Sequence, residues 1–317
     1  MEKGDIKLSI IILSYNTKEL LRQCLESVIR HRPLITNHQL PITEIIVVDN
    51  GSTDGSAEMV KTVINKLSLI DKKSLITNHQ LPITIKLIEN KENLGYAKGN
   101  NIGIKEAQGE YIMLLNSDTV VKENAIGRLV DFLEENPDRD VVGPRLLNLD
   151  GTPQPNCGRF PSLPVVAVML FKEHFGGSEF VRCSLEKSGL VDWLVGAAFM
   201  ARRDVFEKAG LLDEKLFMYM EEVEWFYRVY QAGFKTYFLK DSEIVHLGRG
   251  SSKSGRTEPI LNIYKGLLHF YRKHKSRSQL WCLWGMLKLK ALLSVMIGFL
   301  KNDKYLKETY AQAIKIS

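Results

Sequence analysis

Four times in its first 120 residues the chain passes through a short apolar run, breaks into a polar turn and then takes up helical spacing. The runs are "KLSIIILS" (7–14), "EIIVVD" (44–49), "IKLIEN" (85–90) and "YIMLLN" (111–116), each rich in the Ile, Leu and Val of buried strands. After the first, Leu20, Leu21, Cys24, Leu25, Val28 and Ile29 recur at helical spacing, with Thr17 as a plausible N-cap. Helices are predicted from about Ser56 to Leu67, after the turn "KENLGYAKG" through Ala107, and from about Glu123 to Glu135 before Pro137. Apolar strands alternating with helices predict an α/β protein whose mainly parallel sheet is covered on both faces. In such sheets ligands bind beyond the carboxyl ends of the strands.

The segment "LITNHQLPIT" occurs twice unchanged, at 34–43 and 75–84. Two copies cannot build a solenoid. Each leads into the amino end of a strand, away from the expected site, and its Pro, Asn, Thr and His content suits an exposed insertion. Decoration is the expected role, and partner binding the lesser one.

The 317 residues, 44% hydrophobic and 25% charged, exclude disorder as a main theme. Cys24, Cys157, Cys183 and Cys282 show no close pairing or metal-ligand spacing, which favours a reducing compartment. The opening "MEKGDIKLSIIILSYN" has no cleavage pattern of a secretory signal. Net charge is +6, but residues from Tyr264 onward carry 11 Lys and Arg against two acids, leaving a mildly acidic body of −3 before them. That asymmetry suggests an anionic surface as partner for the tail, and with no recognised motif beside it no nucleic acid is expected.

Polar groups cluster where the strands end: Ser14, Tyr15 and Asn16 after the first, Asp49 and Asp54 after the second, Asn90, Asn93 and Gly95 after the third, Asn116 and Asp118 after the fourth. A carboxylate closing a Val-rich strand is costly unless paired or holding a ligand. Asp54 and Asn93 taken alone are equally well read as turn or cap residues.

Here the chain resembles the family 2 inverting glycosyltransferases, its rhamnosyltransferase-like members above all. The resemblance is carried over residues 7–275 by the ordered blocks "SIIILSYN", "EIIVVDNGSTDGS", "NLGYAKGNNIGI", "YIMLLNSDT", "VVGPRLLNLDG", "WLVGAAFMARRDVFEKAGLLDE", "MYMEEVEWFYRVYQAGF" and "EIVHLGRGSS". It implies a GT-A nucleotide-diphospho-sugar transferase fold with one mixed, mainly parallel sheet, flanked by helices. The expected divisions are a domain over 1–263, with a nucleotide half to about 120 and an acceptor half from about 121, and a basic helical tail over 264–317. By the same resemblance Ser14, Tyr15 and Asn16 line the nucleotide pocket, Asp49 meets the pyrimidine base, Asn93, Gly95 and Asn100 shape the pocket, and Asp118 approaches a metal on the diphosphate. Mg2+ or Mn2+ is the implied cofactor, since a divalent ion neutralises charge on a departing diphosphate. Where the family commonly has Asp-x-Asp, this chain has Asn116-Ser117-Asp118, and Asn offers only a neutral oxygen.

In the second half, Gly196, Ala197 and Ala198 leave room against the backbone, and Trp193 reads equally as core aromatic or acceptor platform. A helix over "MYMEEVEWFYRVYQAGF" presents Val223, Phe226, Tyr227 and Tyr230 as a stripe, pairs Glu224 with Arg228 and ends at Gly233. Its opening acids, Glu221 and Glu222, suit the helix dipole. The resemblance makes Glu222 the base that takes the acceptor's proton, with Glu221 as rival. It also makes His246 a metal or diphosphate contact, against a structural role, and allows Arg249 or Arg256 in "GRGSSKSGR" to meet the diphosphate.

Leu280–Leu300 is nearly long enough to cross a bilayer, but Lys288 and Lys290 lie mid-segment, each costing about 2.5–3.5 kcal/mol there. The expectation is a segment in the membrane interface with snorkelling lysines beside the basic cluster Arg272, Lys273, Lys275 and Arg277. The rival is a helix buried in a homodimer. Together these readings describe a metal-dependent transferase of a sugar such as rhamnose. The donor is dTDP- or UDP-linked, the acceptor a glycan or polyprenyl-linked glycan in surface polysaccharide synthesis, and the site cytoplasmic on the inner face of the plasma membrane. The alternative is a catalytically lapsed nucleotide-sugar-binding protein. A nucleotidyltransferase needs a Gly-rich basic loop after the first strand, which "SYNTKELL" is not.

Overall fold

A computed structural model describes residues 6–31, 42–74, 83–175, 181–248 and 257–316. The strands in chain order are β1 (Ile6–Ser14), β2 (Ile42–Asp49), β3 (Ile83–Glu89), β4 (Tyr111–Asn116), β5 (Thr119–Val121), β6 (Val141–Leu147), β7 (Cys157–Gly158), β8 (Arg182–Cys183), β9 (Gly189–Leu190), β10 (Trp193–Leu194), β11 (Ala198–Arg202) and β12 (Thr236–His246). The main sheet runs β3-β2-β1-β4-β11-β6-β12-β5, with β9 added on β12. Its first four strands are parallel, as the alternation predicts. Antiparallel β11, which pairs with both β4 and β6, makes the sheet mixed. A small sheet, β10-β7-β8, stands beside it and was not foreseen.

Strand alternation divides the core. Ile10, Ile12, Ile45 and Val47 face helices Lys18–Arg30 and Ala125–Glu135 through Leu21, Leu25, Ile126 and Leu129. Ile11, Ile46, Val48 and Leu114 face the other way, toward Ala97, Ile104, Trp225 and Phe226 of helices Gly95–Glu106 and Glu221–Gln231. Each such fully buried side chain contributes about 1.5–3 kcal/mol, so register is strongly specified. Ser14 pairs with Asp49, Asp49 with Glu89 and Leu13 with Asn116, which brings the polar strand ends level on one edge.

The second helix extends to Ser74 rather than Leu67, for no Gly or Pro interrupts the chain between them. Most of both repeat copies lies outside the described residues. Their last two residues open β2 and β3, where Thr43 pairs with Ile83, so both copies enter neighbouring strands at the amino edge. Arg249 and Arg256 also lie outside the described residues.

Helices Thr257–His274, Arg277–Leu300 and Lys304–Ile316 pack on Leu163–Phe175 around a third core of Leu267, Phe270, Leu283, Leu287 and Ala313. The boundary expected at residue 263 falls inside the first of these helices. That helix is clamped to the sheet domain by charge: His269 and Lys273 reach Asp213 at 2.8 and 2.7 Å, while Lys273 and His274 each reach Glu224 at 2.9 Å. Glu224 also holds the Arg228 guanidinium through both carboxylate oxygens. Of the two mid-segment lysines expected to snorkel, one is turned inward. Lys290 is buried 5.9 Å from the Phe171 ring and 5.8 Å from the Tyr310 ring, because its position faces the helical core. Lys288 lies outward, 4.4 Å over the Trp284 ring.

Candidate active site

The carboxyl edge of β1, β2 and β4 opens into a cavity of about 320 Å3, lined by Leu13, Tyr15, Thr17, Asn50, Asn93, Gly95, Tyr96, Asn116, Ser117, Asp118, Phe217, Met218, Tyr219, Glu258, Pro259 and Asn262. Small-molecule sites span roughly 300–1,000 Å3. Of the residues expected from sequence, Tyr15, Asn93, Gly95, Asn116 and Asp118 line it directly. Ser14, Asn16, Asp49, Asn100, Glu221, Glu222 and His246 are not among its lining residues.

Asn16 takes a left-handed φ of 52° and accepts the Thr53 N–H on its side-chain oxygen at 2.8 Å, tying the first strand end to the second. Ser14 and Thr17 share a hydroxyl contact at 2.9 Å, and Thr17 continues it to Ser117 at 2.9 Å. Thr17 thus occupies the N-cap position without capping. That task falls to Asp54, which accepts from Lys18 N at 2.8 Å and from Ser56 N at 3.0 Å, holding two helix starts together. Asn93 also has a structural task, accepting the Gly95 N–H at 3.0 Å, and Asn100 donates back to the Tyr96 carbonyl of its own helix. Asp49 differs. It is buried, its Oδ2 accepts from Ser52 N at 2.9 Å, and its Oδ1 has no hydrogen-bond partner among the described residues. A buried carboxylate oxygen left so suits a ligand N–H.

Asp118 and His246 are brought together at one end of the antiparallel β5–β12 pair, where His246 faces Thr119, with Oδ1 and Nε2 3.4 Å apart. Gln154, which sequence reasoning missed, orients the ring. Its amide nitrogen donates to Asn148 Oδ1 at 3.0 Å, so its oxygen accepts from His246 Nδ1 at 2.7 Å, leaving Nε2 aimed at the Asp118 carboxylate. One carboxylate and one oriented imidazole nitrogen fit a divalent cation whose other ligands come from phosphate oxygens. Among the described residues no group of three or more His, Cys, Asp or Glu side chains gathers as a metal site of its own.

The loop before Glu221–Gln231 lines the cavity through Phe217, Met218 and Tyr219, and the acid pair that follows is not itself among the lining residues. Tyr219 and Met220 take φ of 70° and 74°, conformations costing about 1–3 kcal/mol each for non-glycine residues. Two close approaches hold them there. Gly95, at φ +80°, lies so near that a Cβ would stand 2.5 Å from the Phe217 carbonyl, which accepts from Tyr96 N at 2.8 Å. On the other side a Cβ at Gly266, in helix Thr257–His274, would meet Met220 Cβ at 2.7 Å. The first turn of that same helix supplies Glu258, Pro259 and Asn262 to the cavity, so the presumed tail helps build the site.

Glu221 is buried and Glu222 half-buried, and the Oε2 of each lacks a hydrogen-bond partner among the described residues. Burial raises the Glu221 carboxyl well above the ordinary carboxylate range, and the neighbouring Glu222 adds to it. Burial likewise raises Glu222, with Arg182 the cation that opposes the rise. Tyr96 stands against the pair, its own ionisation pushed far up by burial and by Glu222 and Glu221, and its hydroxyl donates to the Gly196 carbonyl. The space expected beside Gly196 is filled by this ring, 2.7 Å from where a Cβ would be. Trp193 resolves to the core, donating its indole N–H to the Arg159 carbonyl at 2.9 Å.

Residues 9–210 match the profile of glycosyl transferase family 2. Over 230 residues the chain is 28% identical to the low-salt glycan biosynthesis hexosyltransferase Agl10 of Haloferax volcanii, covering 70% of this chain and 61% of that protein. Over 272 residues it is 25% identical to the N-acetylglucosaminyl-diphospho-decaprenol L-rhamnosyltransferase of Mycobacterium tuberculosis, covering 79% and 83%. The fold is shared with GalNAc-T7, solved with UDP, GalNAc and Mn2+, at a TM-score of 0.55 and 18% identity over 85% of this chain and 50% of that one. Neither the haloarchaeal relative nor that solved chain is spanned beyond 61% of its length. With a GT-A sheet, a cavity at its carboxyl edge and the match running through both, the chain belongs to glycosyl transferase family 2.

Proposed function

We propose that the protein is an inverting glycosyltransferase that moves rhamnose or a similar sugar from a dTDP- or UDP-linked donor to a glycan or polyprenyl-linked glycan. The acceptor would be met at the inner face of the plasma membrane, during surface polysaccharide synthesis. The observation that carries the reading is one cavity lined by both Asp118 and Tyr219, with two carboxylates that have unpartnered oxygens following Tyr219 after Met220. The names of the relatives support it: one is a rhamnosyltransferase on a lipid diphosphate sugar, another a hexosyltransferase.

In this reading Asp49 accepts a hydrogen bond from the pyrimidine ring, while Ser14, Tyr15, Asn16, Asn93, Gly95 and Asn100 form or support the nucleotide wall. Asp118 and His246 would hold Mg2+ or Mn2+, which when bound neutralises charge on the leaving diphosphate. The acceptor oxygen attacks the anomeric carbon from the side opposite that diphosphate, and its proton passes to Glu222 as the new bond forms. Glu222 suits the role better than Glu221, because it is less deeply buried and has Arg182 beside it, a cation that favours the ionised form. Glu221, raised well above the ordinary range by its burial, keeps its own proton. Asn116 in place of a second acid favours a second reading, a donor-binding protein without turnover.

A thermal-shift series tests the pocket assignment. Thymidine or uridine diphosphate at about 100 times its Kd, with Mn2+, should add about 2.7 kcal/mol of apparent stability, and Asp118→Asn should remove the Mn2+ dependence. Absence of any shift, or one independent of metal and of Asp118, overturns the assignment. Transfer by the wild type separates the enzyme from the binding protein.

A further inference from the structure

The helix Arg277–Leu300 is apolar all round, yet only one side of it is used by the fold. Leu283, Leu287, Ala291, Ser294 and Gly298 face the helical core. On the opposite side Trp281, Leu292, Met296 and Phe299 stand in one row, with exposures of 69%, 51%, 60% and 70%. Side chains 11, 15 and 18 residues apart fall within about 60° of one another on a helix of 3.6 residues per turn, so at 1.5 Å per residue the row is a continuous face about 27 Å long. Leu289, Leu293 and Leu300 widen it. A patch of this extent on a soluble surface marks an interaction site.

We propose that this face lies in the plane of an anionic lipid bilayer, buried to the headgroup boundary, as a surface anchor for the whole molecule. Charge selects that occupant. The helix contains no acid, exposed Arg277 opens it, Lys301 and Lys304 follow its end, and Lys288 stands over Trp284 on the outward side. Anionic headgroups supply the counter-charge to every one of these cations, while a snorkelling Lys288 keeps its ammonium at the water line. A second copy of the chain does not, since it would set the same lysine against an apolar face without a carboxylate. Crossing the bilayer is also excluded by the packing. Lys290 and its neighbours are buried against helices Thr257–His274 and Lys304–Ile316, so lipid cannot surround this segment. Because helix Thr257–His274 packs on the anchor and also lines the cavity at the carboxyl edge of the sheet, docking fixes the distance between bilayer and cavity. None of this rests on the transferase reading.

Flotation of the full chain with vesicles of phosphatidylcholine and phosphatidylglycerol, about 30% anionic lipid, tests it directly. The protein should float with these vesicles and bind vesicles of phosphatidylcholine alone about 100-fold more weakly, each nearby cation being worth several-fold. Tryptophan emission should shift to the blue on binding, because Trp281 and Trp284 are exposed while Trp193 and Trp225 are already buried. The triple variant Leu292→Glu, Met296→Glu, Phe299→Glu alters only exposed side chains and should stay with the pellet while keeping its circular dichroism. If that variant misfolds, Arg277→Gln with Lys288→Gln and Lys304→Gln should still lower vesicle affinity about 100-fold. Failure of the wild type to float, equal binding by a folded variant, or a solution dimer that the triple variant dissolves would each overturn the proposal.

Discussion

The helix Glu221–Gln231 carries three carboxylates within four residues that live in opposite surroundings. Glu221 and Glu222, at its start, each have one unpartnered oxygen and are pushed up by burial. Glu224, with no exposure at all, faces helix Thr257–His274. There, against burial that acts to raise it, hydrogen bonds from His274 and Arg228 and the nearby Lys273 hold it down at about 2. Same residue type, same helix, and the surroundings alone raise one pair with oxygens unengaged and hold Glu224 ionised in a clamp. A carboxylate with every lone pair engaged has nothing left to offer a substrate. One left unsatisfied in a low-dielectric wall accepts a proton readily, and its cost must be borne by the packing that surrounds it.

Glu224→Gln breaks the structural half and should destabilise the fold by about 3–5 kcal/mol, since it strands Arg228 and the clamp cations. Denaturant titration reads it. The next effect belongs to the loop between the halves: Gly95→Ala combines a positive φ with a Cβ against the Phe217 carbonyl, and a loss of about 1–3 kcal/mol is expected, with weaker donor affinity. Acid sharpens the contrast. Glu224 is depressed in the folded state, so the stability it contributes is present above its unfolded value of about 4.3 and is lost as pH falls from there through about 2. Glu222 is raised, so transfer should fail at a higher pH than this, while the protein is still folded. A rate profile and an unfolding profile that fall together at one pH would remove the distinction. The smallest effect is a gain: Glu221→Gln removes a buried, raised carboxylate and should stabilise the protein at neutral pH by about 1 kcal/mol, measured as a rise in Tm.

The sheet was legible because each of its layers follows from one-dimensional spacing. Apolar runs and helical periods fix β1 to β4, and the register then sets Ser14, Asp49 and Asn116 level without any further information. Contacts between distant segments were not legible. Nothing in "NLDGTPQPN" announces that Gln154 orients His246 across 92 residues, nor that Tyr219 and Met220 turn left-handed after Phe217 packs on Gly95. Trp193 stayed ambiguous for the same reason, because only the neighbouring strands decide whether an indole meets solvent or core. The tail misled most. A charge count separated it from the body at residue 263, whereas a helix that spans that position contributes its first turn to the cavity and its last to Glu224. Composition sees the cations, and only packing shows what they hold.

The most direct measurement compares Glu222→Gln and Glu224→Gln side by side, each assayed for nucleoside diphosphate binding and for single-turnover sugar transfer per folded molecule. Glu222→Gln should bind donor as the wild type does and transfer about 100- to 10,000-fold more slowly, while folded Glu224→Gln transfers within a few-fold of wild type. Wild-type transfer by Glu222→Gln, or an equal loss in both variants, would contradict the division of roles along this helix.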